Sequence, residues 1–95
     1  MLKSLEELIK IIRERKNVSS EKSYTSKLLN DKNLCADKIN EEIRELLDAV
    51  KKNDNQVHEA ADVLYHLLVF LESNGIKIED VMEELKKRQN AVRQK

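Results

Sequence analysis

The residues best placed to do chemistry are two groups of acids. Glu41-Glu42-Ile43-Arg44-Glu45 is the first and Glu59-Ala60-Ala61-Asp62 the second. Each group contains a pair spaced three apart, Glu42 with Glu45 and Glu59 with Asp62. On a helix that spacing points both members of a pair the same way. Two such pairs on neighbouring helices make a cage of four carboxylates, which suits a hard divalent cation. Alone, the first group reads as a solvated helix face. The second runs straight into Val63-Leu64-Tyr65-His66-Leu67-Leu68-Val69-Phe70, so Asp62 opens a polar window in an apolar helix. An ionised carboxylate in such a setting is costly unless paired or metal-bound. Arg44 and Lys38 can neutralise one or two acids, but not four. Crowded carboxylates raise one another's pKa, and a divalent cation relieves the repulsion.

Oxygen donors without a thiolate set favour Mg²⁺ or Mn²⁺ over zinc. A di-iron bundle would need Glu-x-x-His pairs. The residues three before His58 and His66 are Asn55 and Val63, so that motif is absent. Mg²⁺ binds few carboxylates together with substrate phosphates, which points to a phosphorylated substrate. His66, one turn beyond Asp62, is either a hydrogen-bonded core histidine or a substrate contact. His58 can reach Asp62 but sits at a helix start and reads as surface. Tyr65 is expected to point away from the polar strip and pack. Cys35 reads as a small core residue, with no histidine placed to activate it. Lys27, Lys38 and Arg88 are candidates for phosphate contacts.

Helices must position these groups. The chain has 95 residues, no proline and one glycine, so one all-α domain is expected. A first helix over about 5–16 buries Leu5, Leu8, Ile9 and Ile12, with Ser4 and Glu7 as a capping box. After a polar linker, residues 24–29 form a short turn capped by Ser23. The next helix, about 34–52, presents Ala36, Ile39, Ile43, Leu46, Leu47 and Val50 on one apolar face. Asn53-Asp54-Asn55 makes a turn. A helix over 56–73 is apolar nearly all round, apart from the strip Glu59, Asp62 and His66. Asn74-Gly75 ends it. The last helix, from about Ile78, turns Val81, Met82 and Leu85 inward and continues into a basic tail from about residue 89.

The bulk properties narrow the classes. Formal net charge is zero, so no global field draws nucleic acid or a membrane, and the basic tail lacks interleaved aromatics. The longest apolar run is too short to span a bilayer. The N-terminus is amphipathic and acidic, unlike a signal peptide, and a single cysteine fits a reducing cytoplasm. Charged residues make up 38% of the chain, against about 25% in typical domains. So polar a surface around an apolar central segment suggests a core completed by pairing, hence a homodimer.

The pattern also resembles a known family. Glu-Glu-x-x-Glu, followed after thirteen residues by Glu-x-x-Asp, is similar to the signature of the all-α NTP pyrophosphohydrolase (MazG-like) superfamily. Ser23-Tyr24-Thr25, Lys38-Ile39-Asn40-Glu41-Glu42 and the run from Glu59 to Val69 resemble motifs of its phosphoribosyl-ATP pyrophosphohydrolase family. The resemblance covers roughly residues 23–88. It implies a four-to-five-helix MazG-like bundle that dimerises. The reaction implied is Mg²⁺-dependent hydrolysis of 1-(5-phosphoribosyl)-ATP to 1-(5-phosphoribosyl)-AMP and pyrophosphate, the second step of histidine biosynthesis. Glu42, Glu45, Glu59 and Asp62 would hold the metal, with Glu41 in or beside that shell. Glu42 or Glu45 would orient or deprotonate the attacking water. Lys38 would face phosphate, Ser23, Tyr24, Thr25 and Lys27 would border the substrate, and His66 would floor the site. Asn40 and Lys22 stand where the family has glycine. The next enzyme, a cyclohydrolase, is expected as a separate protein. Two rivals share these features: a superfamily enzyme acting on free (deoxy)nucleoside triphosphates, and a non-catalytic helical dimer.

Overall fold

The computed structural model describes residues 2–93, leaving aside the side chains at 90 and 92. Five α-helices account for the architecture: α1 (Lys3–Glu14), α2 (Tyr24–Asn30), α3 (Lys32–Lys52), α4 (Gln56–Ser73) and α5 (Ile78–Arg93). A 3-10 turn, Arg15–Asn17, follows α1. No strand occurs among the described residues. The outer end of the basic tail, at 94 and 95, lies outside them.

The helix ends follow local chemistry. Ser23 Oγ accepts from the Ser26 amide at 3.2 Å and starts α2. Asp31 Oδ1 accepts from the Leu34 amide at 3.0 Å, so α3 begins at Lys32, two residues before its apolar periodicity suggests. The capping box at Ser4 and Glu7 does not form. The Leu2 carbonyl already accepts from the amides of Leu5 and Glu6, which places Ser4 inside the first turn of α1.

The hairpin of α3 and α4 positions the acids. Its turn holds Asn53 and Asn55 at positive φ, 53° and 59°, a conformation asparagine tolerates better than most residues. Gln56 Nε2 donates to Asn53 Oδ1 at 2.8 Å and steadies the turn. So short a connection returns α4 antiparallel along α3. Ala49, buried near the turn, keeps the helices close.

The core is Ile12, Leu28, Cys35, Leu68 and Val69, with Leu5, Leu8, Ile9, Leu34, Tyr65 and others packed on it. Each fully buried aliphatic side chain contributes about 1.5–3 kcal/mol. Glu72, only 14% exposed, locks α1 to α4 by accepting from Arg13 at 3.4 Å and Lys16 at 2.5 Å. The apolar faces of the hairpin are only partly used. Leu47 is 59% exposed, Val57 86% and Leu64 52%, and Ile43, Val50 and Leu67 are exposed too. Met82 and Leu85 on α5 also face outward rather than in. Periodicity marks these stripes as apolar; among the described residues nothing covers them.

Candidate active site

The acids of the two helices converge. Glu42 and Glu45 from α3 and Glu59 from α4 each offer an oxygen within 4.8 Å of the others. Glu59 belongs to a second group of the same tightness, with His58 and Asp62. Glu59 thereby joins the two groups. Glu42 Oε2 and Glu59 Oε2 are buried without a hydrogen-bond partner. Beside them an open cleft of about 260 Å³ is lined by Glu45, Asp48, Ala49, Lys52, Asp54, Asn55 and Glu59.

Crowding shows in the titration of these groups. Burial, then the neighbouring Glu45, and then the charges of Asp62 and Glu59 push the Glu42 carboxyl up to about 7. Glu59 is also raised, first by loss of solvent and then by Glu45. The α4 N-terminus, where Glu59 lies in the first turn, opposes that rise through its dipole but does not cancel it. Four carboxylate side chains without an internal cation are the donor chemistry of a hard divalent ion, and two orphaned buried oxygens fit the same group. His58 Nε2, 3.4 Å from Asp62 Oδ2, adds one nitrogen at the edge.

The remaining candidates divide. Lys38 Nζ lies 3.3 Å from Glu41 Oε2. Glu41 is exposed and belongs to neither carboxylate group. The bond from Glu41 holds the Lys38 ammonium above its usual range, and Glu42 adds to it. Tyr24 and Thr25 face α4, where Tyr24 Oη meets His66 Nε2 at 3.0 Å and Thr25 Oγ1 meets Tyr65 Oη at 2.5 Å. Ser23 is engaged as the α2 cap. Lys27 is exposed on α2. Arg88, on α5, is tied to Glu84 Oε1 at 3.0 Å, away from the two acidic groups. Asn40 is exposed, so its side chain does not crowd the helix contact. Cys35 is fully buried, and burial raises its thiol pKa, which suits a core residue.

Tyr65 does more than the packing expected of it. It packs on the core, but its ring meets His66 edge-on at 4.9 Å and its hydroxyl reaches Thr25. The signal was available: a buried tyrosine hydroxyl needs a partner. A larger groove, about 620 Å³, lies between α1 and α5 and is lined mainly by Leu2, Leu5, Ile9, Ile78 and Met82. Its size does not make it the site, because the clustered carboxylates are elsewhere. Among the described residues no helix is long and apolar enough to cross a membrane.

Comparison with known proteins identifies the family. The family model described as phosphoribosyl-ATP pyrophosphohydrolase matches residues 5–89. A phosphoribosyl-ATP pyrophosphatase of Methanococcoides burtonii is 40% identical over 91 residues, spanning 90% of this chain and 92% of the relative. One from Methylobacterium nodulans is 46% identical over 88 residues, spanning 90% and 82%. The histidine biosynthesis bifunctional protein HisIE of Thermotoga maritima is 42% identical over 85 residues, spanning 86% of this chain and 43% of its own. No solved structure matches. With matches of that extent and identity, the chain belongs to the phosphoribosyl-ATP pyrophosphohydrolase family.

Proposed function

We propose that the chain hydrolyses 1-(5-phosphoribosyl)-ATP to 1-(5-phosphoribosyl)-AMP and pyrophosphate, a step of histidine biosynthesis, with Mg²⁺ held by the α3–α4 carboxylates. The observation that carries this reading is the convergence of Glu42, Glu45 and Glu59 within 4.8 Å. Glu42 and Glu45 from α3, with Glu59 and Asp62 from α4, would hold the cation, and Glu41 lies beside that shell. Mn²⁺ is the alternative ion, since it accepts the same oxygens and tolerates nitrogen from His58.

A cation held there would supply positive charge against the phosphates and the departing pyrophosphate. The protein's own groups do the rest. Glu42 or Glu45 orients the attacking water or takes its proton. Lys38, kept protonated by Glu41, faces the phosphates. Ser23, Tyr24, Thr25 and Lys27 border the substrate, and His66 forms the floor beneath Tyr24. Arg88 would have to leave Glu84 to meet a phosphate.

A second copy of the chain completes the particle. The exposed stripes Ile43, Leu47 and Val50 on α3 and Val57, Leu64 and Leu67 on α4 form the contact between copies. We assign the enzyme to the cytoplasm, a reading supported by its single, buried cysteine.

Pyrophosphate release from phosphoribosyl-ATP, compared with a panel of ribo- and deoxyribonucleoside triphosphates, tests the reading. Turnover of phosphoribosyl-ATP that chelator abolishes and Mg²⁺ restores is expected. Preference for free triphosphates would reassign the substrate, and turnover indifferent to chelator would remove the metal.

A further inference from the structure

Helix α2 is seven residues long and buries only Ser26 and Leu28. So short a helix has little stability of its own. Ser26 Oγ donates to the Val18 carbonyl, which ties α2 to the preceding loop. Besides the burial of Leu28 in the core with Leu68 and Val69, two hydrogen bonds join α2 to α4. Consecutive residues of α2, Tyr24 and Thr25, meet consecutive residues of α4 in reverse order, His66 and Tyr65. The three rings also touch: Tyr24 stacks on Tyr65 at 6.4 Å, and both meet His66 edge-on.

The imidazole of His66 is 5% exposed and has no free nitrogen. Its Nδ1 lies 2.7 Å from the Asp62 carbonyl oxygen. A carbonyl can only accept, so Nδ1 carries the proton. In the neutral ring Nε2 is then an acceptor, and the Tyr24 hydroxyl must donate to it. The side chain is thus spent on protein partners at both ends. One of them is the backbone of Asp62, whose carboxylate faces the acidic group.

We propose that Tyr65 and His66 are positioning residues. They clip the Ser23–Thr25 segment to the metal-facing strip of α4 and do not themselves touch substrate or move a proton in the reaction. The proposal rests on the function given above, in which that segment borders the substrate. Without the clip the start of α2 is held less firmly, although Leu28 and Ser26 still anchor the helix, and it must be ordered further when substrate binds. The cost then falls on substrate binding rather than on the chemical step.

Two measurements test this. The first needs no substrate: nitrogen-15 NMR of His66 in the full chain. A protonated Nδ1 with an acceptor Nε2 is expected, and Tyr24→Phe should move the Nε2 resonance. A protonated Nε2 in the neutral ring overturns the proposal. The second is kinetic. Tyr65→Phe should raise KM for phosphoribosyl-ATP about three- to tenfold, the effect of one lost hydrogen bond, and leave kcat within about twofold. An unchanged KM in Tyr65→Phe, or a fall in kcat alone, overturns the clip. Should the unaltered protein not turn over phosphoribosyl-ATP, the function fails, while the NMR result still decides the His66 assignment.

Discussion

Replacing Glu42 with glutamine sets folding against function. The Glu42 carboxyl lies at about 7 instead of the ordinary 4.5, because burial and then Glu45, Asp62 and Glu59 disfavour its charge. That rise sets a ceiling of about 3 kcal/mol on what ionised Glu42 costs the metal-free fold. Solvent in the open cleft screens the repulsion and reduces the figure to about 1–2 kcal/mol. The sign follows from linkage. The folded chain holds this proton more tightly than the unfolded chain. The stability it contributes is complete below about 4.5 and is lost as pH rises through about 7. Glu42→Gln removes the charge without changing the shape. Urea denaturation in the presence of chelator should therefore show the variant about 1–2 kcal/mol more stable than the parent at pH 8. The gain should shrink to a few tenths of a kcal/mol near pH 4, where the parent is largely protonated both folded and unfolded. Added Mg²⁺ should raise the parent's Tm and leave the variant's nearly unchanged. Equal stability of the two proteins at pH 8, or the same gain at both pH values, would refute the claim that these carboxylates repel one another.

Other consequences are independent of Glu42. Asp62→Asn should abolish turnover while circular dichroism retains the helical signal; an active variant would take Asp62 out of the metal shell. Glu72 is the opposite electrostatic case: burial works against its charge, but Lys16 and Arg13 outweigh it and hold the carboxyl below the usual value. Glu72→Gln should therefore cost about 1 kcal/mol at neutral pH, a difference that fades as acid protonates the parent, and pH-dependent denaturation measures it. Leu64→Glu, at an exposed apolar position on α4, should convert a dimer into monomers in analytical ultracentrifugation; an unchanged sedimentation coefficient would move the contact off that face.

Much of the hairpin was legible from short-range chemistry. The limits of α4, the asparagine turn and the Ser23 cap depend on neighbours within a few residues, and each occurs where local rules place it. The spacing of Glu42 with Glu45 and of Glu59 with Asp62 put each pair on one helix face, and an antiparallel return was enough to bring Glu59 to the α3 pair. The start of α3 was missed because Asp31 caps from outside the apolar pattern. Ser4 was misjudged because the Leu2 carbonyl had already closed the first turn. Periodicity marked Ile43, Leu47, Val57 and Leu64 as apolar but carries no information about what covers them. The polar contact of Tyr65 is hidden from the sequence for a related reason. Its ring satisfies the core while its hydroxyl satisfies Thr25, and only the approach of α2 reveals the second role.

The central claim is that acids from α3 and α4 share one cation. Manganese, which belongs to the same hard-ion class and scatters anomalously, locates it directly in crystals grown with Mn²⁺. The account predicts an anomalous peak bounded by the carboxylates of Glu42, Glu45, Glu59 and Asp62. Crystals saturated with Mn²⁺ that show no peak between those side chains would contradict it.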